Sequence, residues 1–159
     1  IIENDLSKFS YHRVVNEIKI ANTLLNAIDG KTERSFAYPC GDMIVDSVYY
    51  YREFENVFPG ARGVNGGLES LNSVNLNNIK SFYIDKHSAE YMTNLVDQAI
   101  ESNSLLVFMF HGVGGEHSIN VSNEAHSALV KYLKKKESEI WVAPLVDVAD
   151  YIRTVQKPR

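Results

Sequence analysis

Six consecutive apolar residues, Leu105-Leu106-Val107-Phe108-Met109-Phe110, lie between Asn103-Ser104 and the glycine-rich segment His111-Gly112-Val113-Gly114-Gly115. A run this short, apolar at every position and bounded by turn residues, predicts a strand buried on both faces. Such strands belong to parallel sheets covered by helices, and the carboxyl ends of those strands are where ligands and catalytic groups collect. His111 stands at that end. Two roles are open to it on position alone: proton transfer, or a hydrogen bond to the loop backbone.

The chain has 159 residues, of which 45% are hydrophobic and 23% charged. This predicts one domain spanning 1–159, long enough to bury about two-thirds of its unfolded surface. The formal net charge of −4 and the absence of a basic cluster other than Lys134-Lys135-Lys136 exclude a nucleic-acid binder that relies on phosphate neutralisation. Those lysines fall near the end of a predicted helix, where positive charge complements the helix dipole. Cys40 is the one cysteine, so no internal disulfide is expected. No run approaches the roughly 18 apolar residues of a membrane span, and no signal segment opens the chain.

Helix and strand patterns alternate along the sequence. Val14, Val15, Ile18, Ala21, Leu24, Leu25 and Ile28 predict a long first helix, capped by Ser7 or Ser10 at one end and Gly30 at the other. A strand at 35–38 and a helix at 45–54 follow, then a short strand at 61–64 and an irregular loop at 65–78. Further strands are expected at 80–84 and 139–142. Helices are expected from 87 to 102, after Ser122, and from Pro144 to about Val155. Strands separated by helices imply parallel βα units with right-handed crossovers.

Phe36-Ala37-Tyr38-Pro39-Cys40-Gly41 resembles the Arg-x-Pro-Tyr-Gly segment of the polysaccharide deacetylases, the NodB-homology or carbohydrate esterase family 4 group. Leu105–His111 is similar to that family's strand ending in a catalytic histidine. Residues 122–133 with Ile140-Trp141-Val142-Ala143-Pro144-Leu145 are similar to its closing helix, strand and final helix. The resemblance covers essentially the whole chain, as the C-terminal part of a family domain. It implies a partial, distorted (β/α) barrel of parallel strands lacking the first strands of the family domain.

The implied activity is removal of N- or O-acetyl groups from a glycan or acetylated sugar by a Zn²⁺-like divalent metal, in an extracytoplasmic setting. In that chemistry an Asp and two imidazoles hold the ion, which polarises the acetyl carbonyl and acidifies bound water. The family's Asp-Asp pair and His-x-x-x-His segment are both missing from this sequence, whose five histidines (His12, His87, His111, His117, His126) include no pair at i, i+4. No metal site is therefore expected in this chain, and the metal belongs to the complete domain.

The resemblance makes His111 the general acid toward the leaving amine or alkoxide, a task suited to a group that titrates near neutral pH. Cys40 takes the place of the family's Tyr, whose backbone N–H helps hold the oxyanion, and a backbone donor survives a change of side chain. Ala37 replaces the Arg that orients the base, and Arg62 is a candidate to supply that guanidinium from the neighbouring strand. Tyr38, Pro39 and Gly41 would line the substrate site, and Leu145 would border the pocket for the acetyl methyl group.

Other features invite chemistry more weakly. Gly112-Val113-Gly114-Gly115 lacks the spacing and the Lys-Ser/Thr of a phosphate loop. Glu116 and His117 with His111 suggest a second metal site, His126 a brace for the Gly112–Asn120 loop, and Tyr49-Tyr50-Tyr51 with Phe54 either sugar stacking or core. The alternative to an enzyme is a non-catalytic carbohydrate-binding or structural derivative of the deacetylase fold. A different α/β hydrolase or nucleotide binder ranks last, for want of a Gly-x-Ser-x-Gly elbow or a phosphate loop. An exposed sheet edge would favour a homo-oligomer.

Overall fold

The computed structural model describes residues 6–115 and 117–156. The chain divides into two compact units, one of Ile1–Gly63 with Asn75–Ile79, the other of Val64–Val74 with Lys80–Arg159. The architecture is mixed α/β, with four α-helices and four two-stranded pairs among the described residues, none of which closes into a barrel.

In the first unit, α1 (Tyr11–Asp29) begins where the Ser10 hydroxyl accepts the Arg13 amide and ends at Gly30, whose φ of 69° lets its N–H reach the Asn26 carbonyl at 2.8 Å. Val14, Val15 and Ile18 bury the first half of its apolar stripe, while Ile20, Leu24 and Ile28 in the second half are 58%, 59% and 81% exposed. Strand β1 (Phe36–Ala37) continues from Arg34, whose guanidinium pairs with Asp29 and holds that carboxyl down at about 2.

The stretch expected as a helix at 45–54 is instead a hairpin of β2 (Ile44–Val45) and β3 (Val48–Tyr49), followed by a 3₁₀ turn over Tyr50–Phe54. Asp46 and Ser47 both take left-handed conformations, with φ of 50° and 63°, as the tight hairpin turn requires. The Asp46 carboxylate accepts the Tyr11 amide at 2.7 Å and so ties the turn to the start of α1. Strand β4 (Ala61–Arg62) then pairs in parallel with β1, Phe36 against Ala61 and Ala37 against Arg62.

Rings fill this core. Tyr38, Tyr50, Tyr51, Phe54 and Phe58 are buried with Leu6, Val14, Val15, Ile18, Val45 and Ala61. Their hydroxyls are not stranded: Tyr50 donates to the Asp42 carbonyl at 2.8 Å, Tyr51 to the Phe58 carbonyl at 3.3 Å, and Tyr38 to the Asn77 carbonyl. The tyrosine run is therefore mostly core, and burial pushes the Tyr38 and Tyr50 phenols well above their ordinary range.

In the second unit, β5 (Glu69–Ser70) and β6 (Phe82–Ile84) precede α2 (Ala89–Glu101), which Ser88 caps. The apolar run at 105–110 is not one strand. It splits into β7 (Ser104–Leu105), antiparallel to β5, and β8 (Phe108–Phe110), parallel to β6, and its side chains are half-buried rather than covered on both faces. Helix α3 (Asn123–Lys135) is capped by Ser122, and Lys134 in its last turn and Lys136 just past it pair with Glu137 and Glu139. Ile84, Met92, Val96, Val121 and Leu129 form the buried centre.

The strand expected at 139–142 is absent: the Glu139 and Ile140 amides return to the Lys136 carbonyl at 2.8 and 3.2 Å, and Trp141 and Val142 are exposed. A strand needs a neighbour, and no described segment pairs with this one. Pro144 stands one residue before α4 (Leu145–Gln156), its carbonyl accepting the Asp147 and Val148 amides. No helix among the described residues is long and apolar enough to cross a membrane.

The uneven burial of α1 separates two outcomes on one helix. Ile18→Ala should cost about 2–5 kcal/mol, whereas Leu24→Ala should stay within about 0.5 kcal/mol. Urea denaturation followed by far-ultraviolet circular dichroism measures both, and equal losses would refute the assignment of the stripe's second half to solvent.

Candidate active site

The parallel pairing of β6 and β8 sets Phe82, Tyr83 and Ile84 beside Phe108, Met109 and Phe110. Because Ile84 is opposite Phe110, the residues that follow each strand leave at the same end. Asp85, Lys86 and His87 emerge from β6, and His111 from β8.

His111 is exposed. Its ring meets the edge of Tyr83 at a centroid distance of 5.6 Å and an interplanar angle of 68°, and stacks on His117 at 5.4 Å and 22°. Partial desolvation, and secondarily the Asp85 carboxylate, push the Tyr83 phenol upward, which places Asp85 within electrostatic reach of this ring cluster. Asp85 also accepts the Asn120 amide at 3.3 Å, the Lys86 amide donates to the Asn120 carbonyl at 2.7 Å, and the Asn120 side-chain amide donates to the His117 carbonyl at 2.7 Å. The segments after β6 and after β8 are thereby stitched together.

Glycine makes that loop possible. A Cβ on Gly112 would come within 3.1 Å of the Gly115 carbonyl oxygen and 3.2 Å of the His117 Cβ, so the chain doubles back over the space a side chain would fill. Gly114 takes a φ of 79°, and its N–H donates to the Val121 carbonyl at 2.8 Å, while the Val121 N–H donates to the Gly112 carbonyl at 3.1 Å. These bonds form a parallel bridge between Val113 and Val121 that closes the loop at its base.

The other histidines have different duties. His87 accepts the Asp85 amide at Nδ1 and stacks on Tyr91 at 4.2 Å. His126 is edge-on to Phe110 at 5.2 Å, so it packs against the strand. Glu116 lies outside the described residues. Among those described, no group of three or more His, Cys, Asp or Glu side chains is placed to hold a metal ion.

The first unit brings Tyr38, Pro39, Cys40, Gly41 and Arg62 together. Pro39–Gly41 is a 3₁₀ turn in which Cys40 (φ 54°) and Gly41 (φ 78°) are both left-handed, and the Gly41 and Asp42 amides close it onto the Tyr38 and Pro39 carbonyls at 3.1 and 3.0 Å. Cys40 is exposed and second in the turn, where a helical N–H has no partner within its own turn. The Tyr38 amide donates to the Arg62 carbonyl at 3.3 Å. Arg62 is the register partner of Ala37, so the two side chains leave the same face of the pair. The guanidinium is half-buried, donates to the Gly63 carbonyl at 3.1 Å, and is lowered from its ordinary range by burial. His111 and Leu145, the latter half-buried as the first residue of α4, belong to the second unit.

Sequence reasoning singled out His111 and grouped His117 with it, with Glu116, as a second metal site, but it did not show that the two rings stack; Tyr83 was legible only as a strand residue. The available signal was Gly112, whose position straight after a strand-end histidine marks a close fold-back. Comparison with family models, curated proteins and solved structures finds no match for this chain.

Cys40 holds a backbone conformation that glycine adopts freely. Cys40→Gly should raise stability of the first unit by about 0.5–1 kcal/mol; a loss measured by urea denaturation would mean that the thiol itself makes a contact worth more than the strain.

Proposed function

We propose that this chain carries the proton-donating part of a metal-dependent polysaccharide or sugar deacetylase, a hydrolase that removes N- or O-acetyl groups from a glycan. The observation that supports this most is His111: an exposed imidazole at the carboxyl end of a strand in a parallel pair, held between the edge of Tyr83 and the face of His117. In this role water adds its oxygen to the acetyl carbon, the imidazolium gives its proton to the departing nitrogen or oxygen as that atom's bond to the acetyl carbon breaks, and the products are acetate and the free amine or hydroxyl.

The turn at Tyr38-Pro39-Cys40-Gly41 suits the matching role in the first unit. Within the first unit the Cys40 N–H would donate to the oxyanion beside Tyr38, Pro39 and Gly41; the part given to Leu145, next to the acetyl methyl, falls in the second unit. Arg62 would orient the base in place of the family's Arg, an idea favoured by its register pairing with Ala37. The partial, distorted (β/α) barrel is part of the same proposal. So is a divalent metal of the complete domain, held by an Asp-Asp pair and a His-x-x-x-His segment that are not among these 159 residues. An extracytoplasmic location follows from the resemblance.

A second reading, a non-catalytic carbohydrate-binding derivative, is favoured by Ala37 and Cys40 standing where the family has Arg and Tyr. One experiment separates the two. The full gene product is incubated with acetylated chitin or xylan oligosaccharides and Zn²⁺, and acetate is measured. The deacetylase reading expects release that His111→Gln lowers by about 10²–10⁴-fold and Arg62→Ala lowers less. Saturable glycan binding without acetate selects the second reading, and undiminished turnover by His111→Gln removes His111 from the chemistry.

Self-association belongs to the proposal too, since a domain lacking the first strands of its sheet would offer an edge to another chain. Light scattering across a concentration series should show a mass above one chain; a constant monomer mass would end that part of it.

A further inference from the structure

We infer that His117 is a positioning residue for His111: it is the wall that restricts the His111 imidazole to one orientation at the end of β8. The inference rests on the deacetylase reading for its kinetic consequence, and on geometry alone for the placement.

An exposed histidine at a strand end ordinarily samples several rotamers, and a proton donor that wanders loses rate, because catalytic groups must be held close to the productive geometry. Here the ring has neighbours on two sides. Tyr83 presents its edge at 5.6 Å, and His117 lies nearly parallel at 5.4 Å, both within the range of favourable ring pairs. Tyr83 is fixed by the β6–β8 register. His117 is on a loop, so its ability to restrain anything depends on how it is itself held.

Three features hold it. The bridge between Val113 and Val121 closes the loop at its base, with Val121 fully buried. The Asn120 side-chain amide donates to the His117 carbonyl at 2.7 Å, and Asn120 is tied through its own backbone to Asp85 and Lys86. Finally, the His117 Nδ1 faces both the amide and the carbonyl of Ile119, at 3.0 and 3.1 Å. With Nδ1 bare it accepts the amide proton, and with Nδ1 protonated it donates to the carbonyl, so the ring keeps its plane in either state. Those bonds lie in the ring plane and leave a face free to stack on His111.

Two substitutions divide the stack from the hydrogen bond. His117→Phe keeps a flat ring and loses the Nδ1 contact; His117→Asn keeps a short side-chain acceptor for the Ile119 amide and loses the ring. In nuclear Overhauser spectra of this chain, the cross-peaks between the His111 and Tyr83 rings should persist in the Phe variant and weaken in the Asn variant. In acetate release by the full gene product, Asn should lower kcat by about 10–100-fold with KM little changed, and Phe should restore most of it. Undiminished His111–Tyr83 cross-peaks in the Asn variant, or a kcat equal to the original enzyme's, would overturn the inference. If the unsubstituted gene product releases no acetate, the deacetylase reading fails, and the NMR comparison still decides whether His117 places His111.

Discussion

The register between β6 and β8 is the constraint on which the second unit depends. Three residues of each strand are paired, and the slip of a single residue would send Phe82, Ile84, Phe108 and Phe110 to the opposite faces. With Ile84 buried against Met92, Val96 and Leu129, that slip would replace apolar contacts with polar ones. One pairing therefore decides two things together: which side chains meet α2 and α3, and that Asp85 and His111 leave the strands at a shared end. The strand fixes where His111 leaves the pair, and the loop then closes around its ring.

The first unit solves a different problem. Its strands are only two residues long, too short to organise a core by backbone pairing, and its packing is carried by rings. Phe36 stacks on Phe58 at 5.2 Å, and Tyr51 lies against both. Each buried phenol also has an oxygen to satisfy, and the acceptors are the Asp42, Phe58 and Asn77 carbonyls in loops. Hydroxyl groups thus hold irregular backbone that no ladder reaches. This is why Asn75–Ile79, distant in sequence, belongs to this unit: Asn77 receives Tyr38, and Ile79 bonds to Ala61 and Gly63.

The helices were readable from sequence because their signals are local. Ser10, Ser88 and Ser122 cap three of them, Gly30 ends the first, and Pro144 precedes the last. What failed was whatever depends on a partner far along the chain. Val45–Phe54 carries aromatic and apolar residues at helix-compatible spacing, which outweighed the turn preference of Asp46 and Ser47, and the Tyr11 amide that holds their left-handed turn is far away in sequence. Ile140-Trp141-Val142 has the composition of a strand without a neighbour to pair with. At the candidate site the same division holds. The end of a strand is a local inference, so His111 was found. The stack with His117 requires the loop to fold back over Gly112, and only the three-dimensional path shows that.

The bridge between Val113 and Val121 has a consequence for how this region tolerates change. Because the loop is closed at its base, its tip is an independent ring whose closure entropy grows slowly with length, by about 0.6 kcal/mol per doubling. Residues added between Gly114 and Asn120 would enlarge that ring without pulling on β8 or on the buried Val121. Variation in length can therefore accumulate beside the imidazole while the strand that carries it stays where it is.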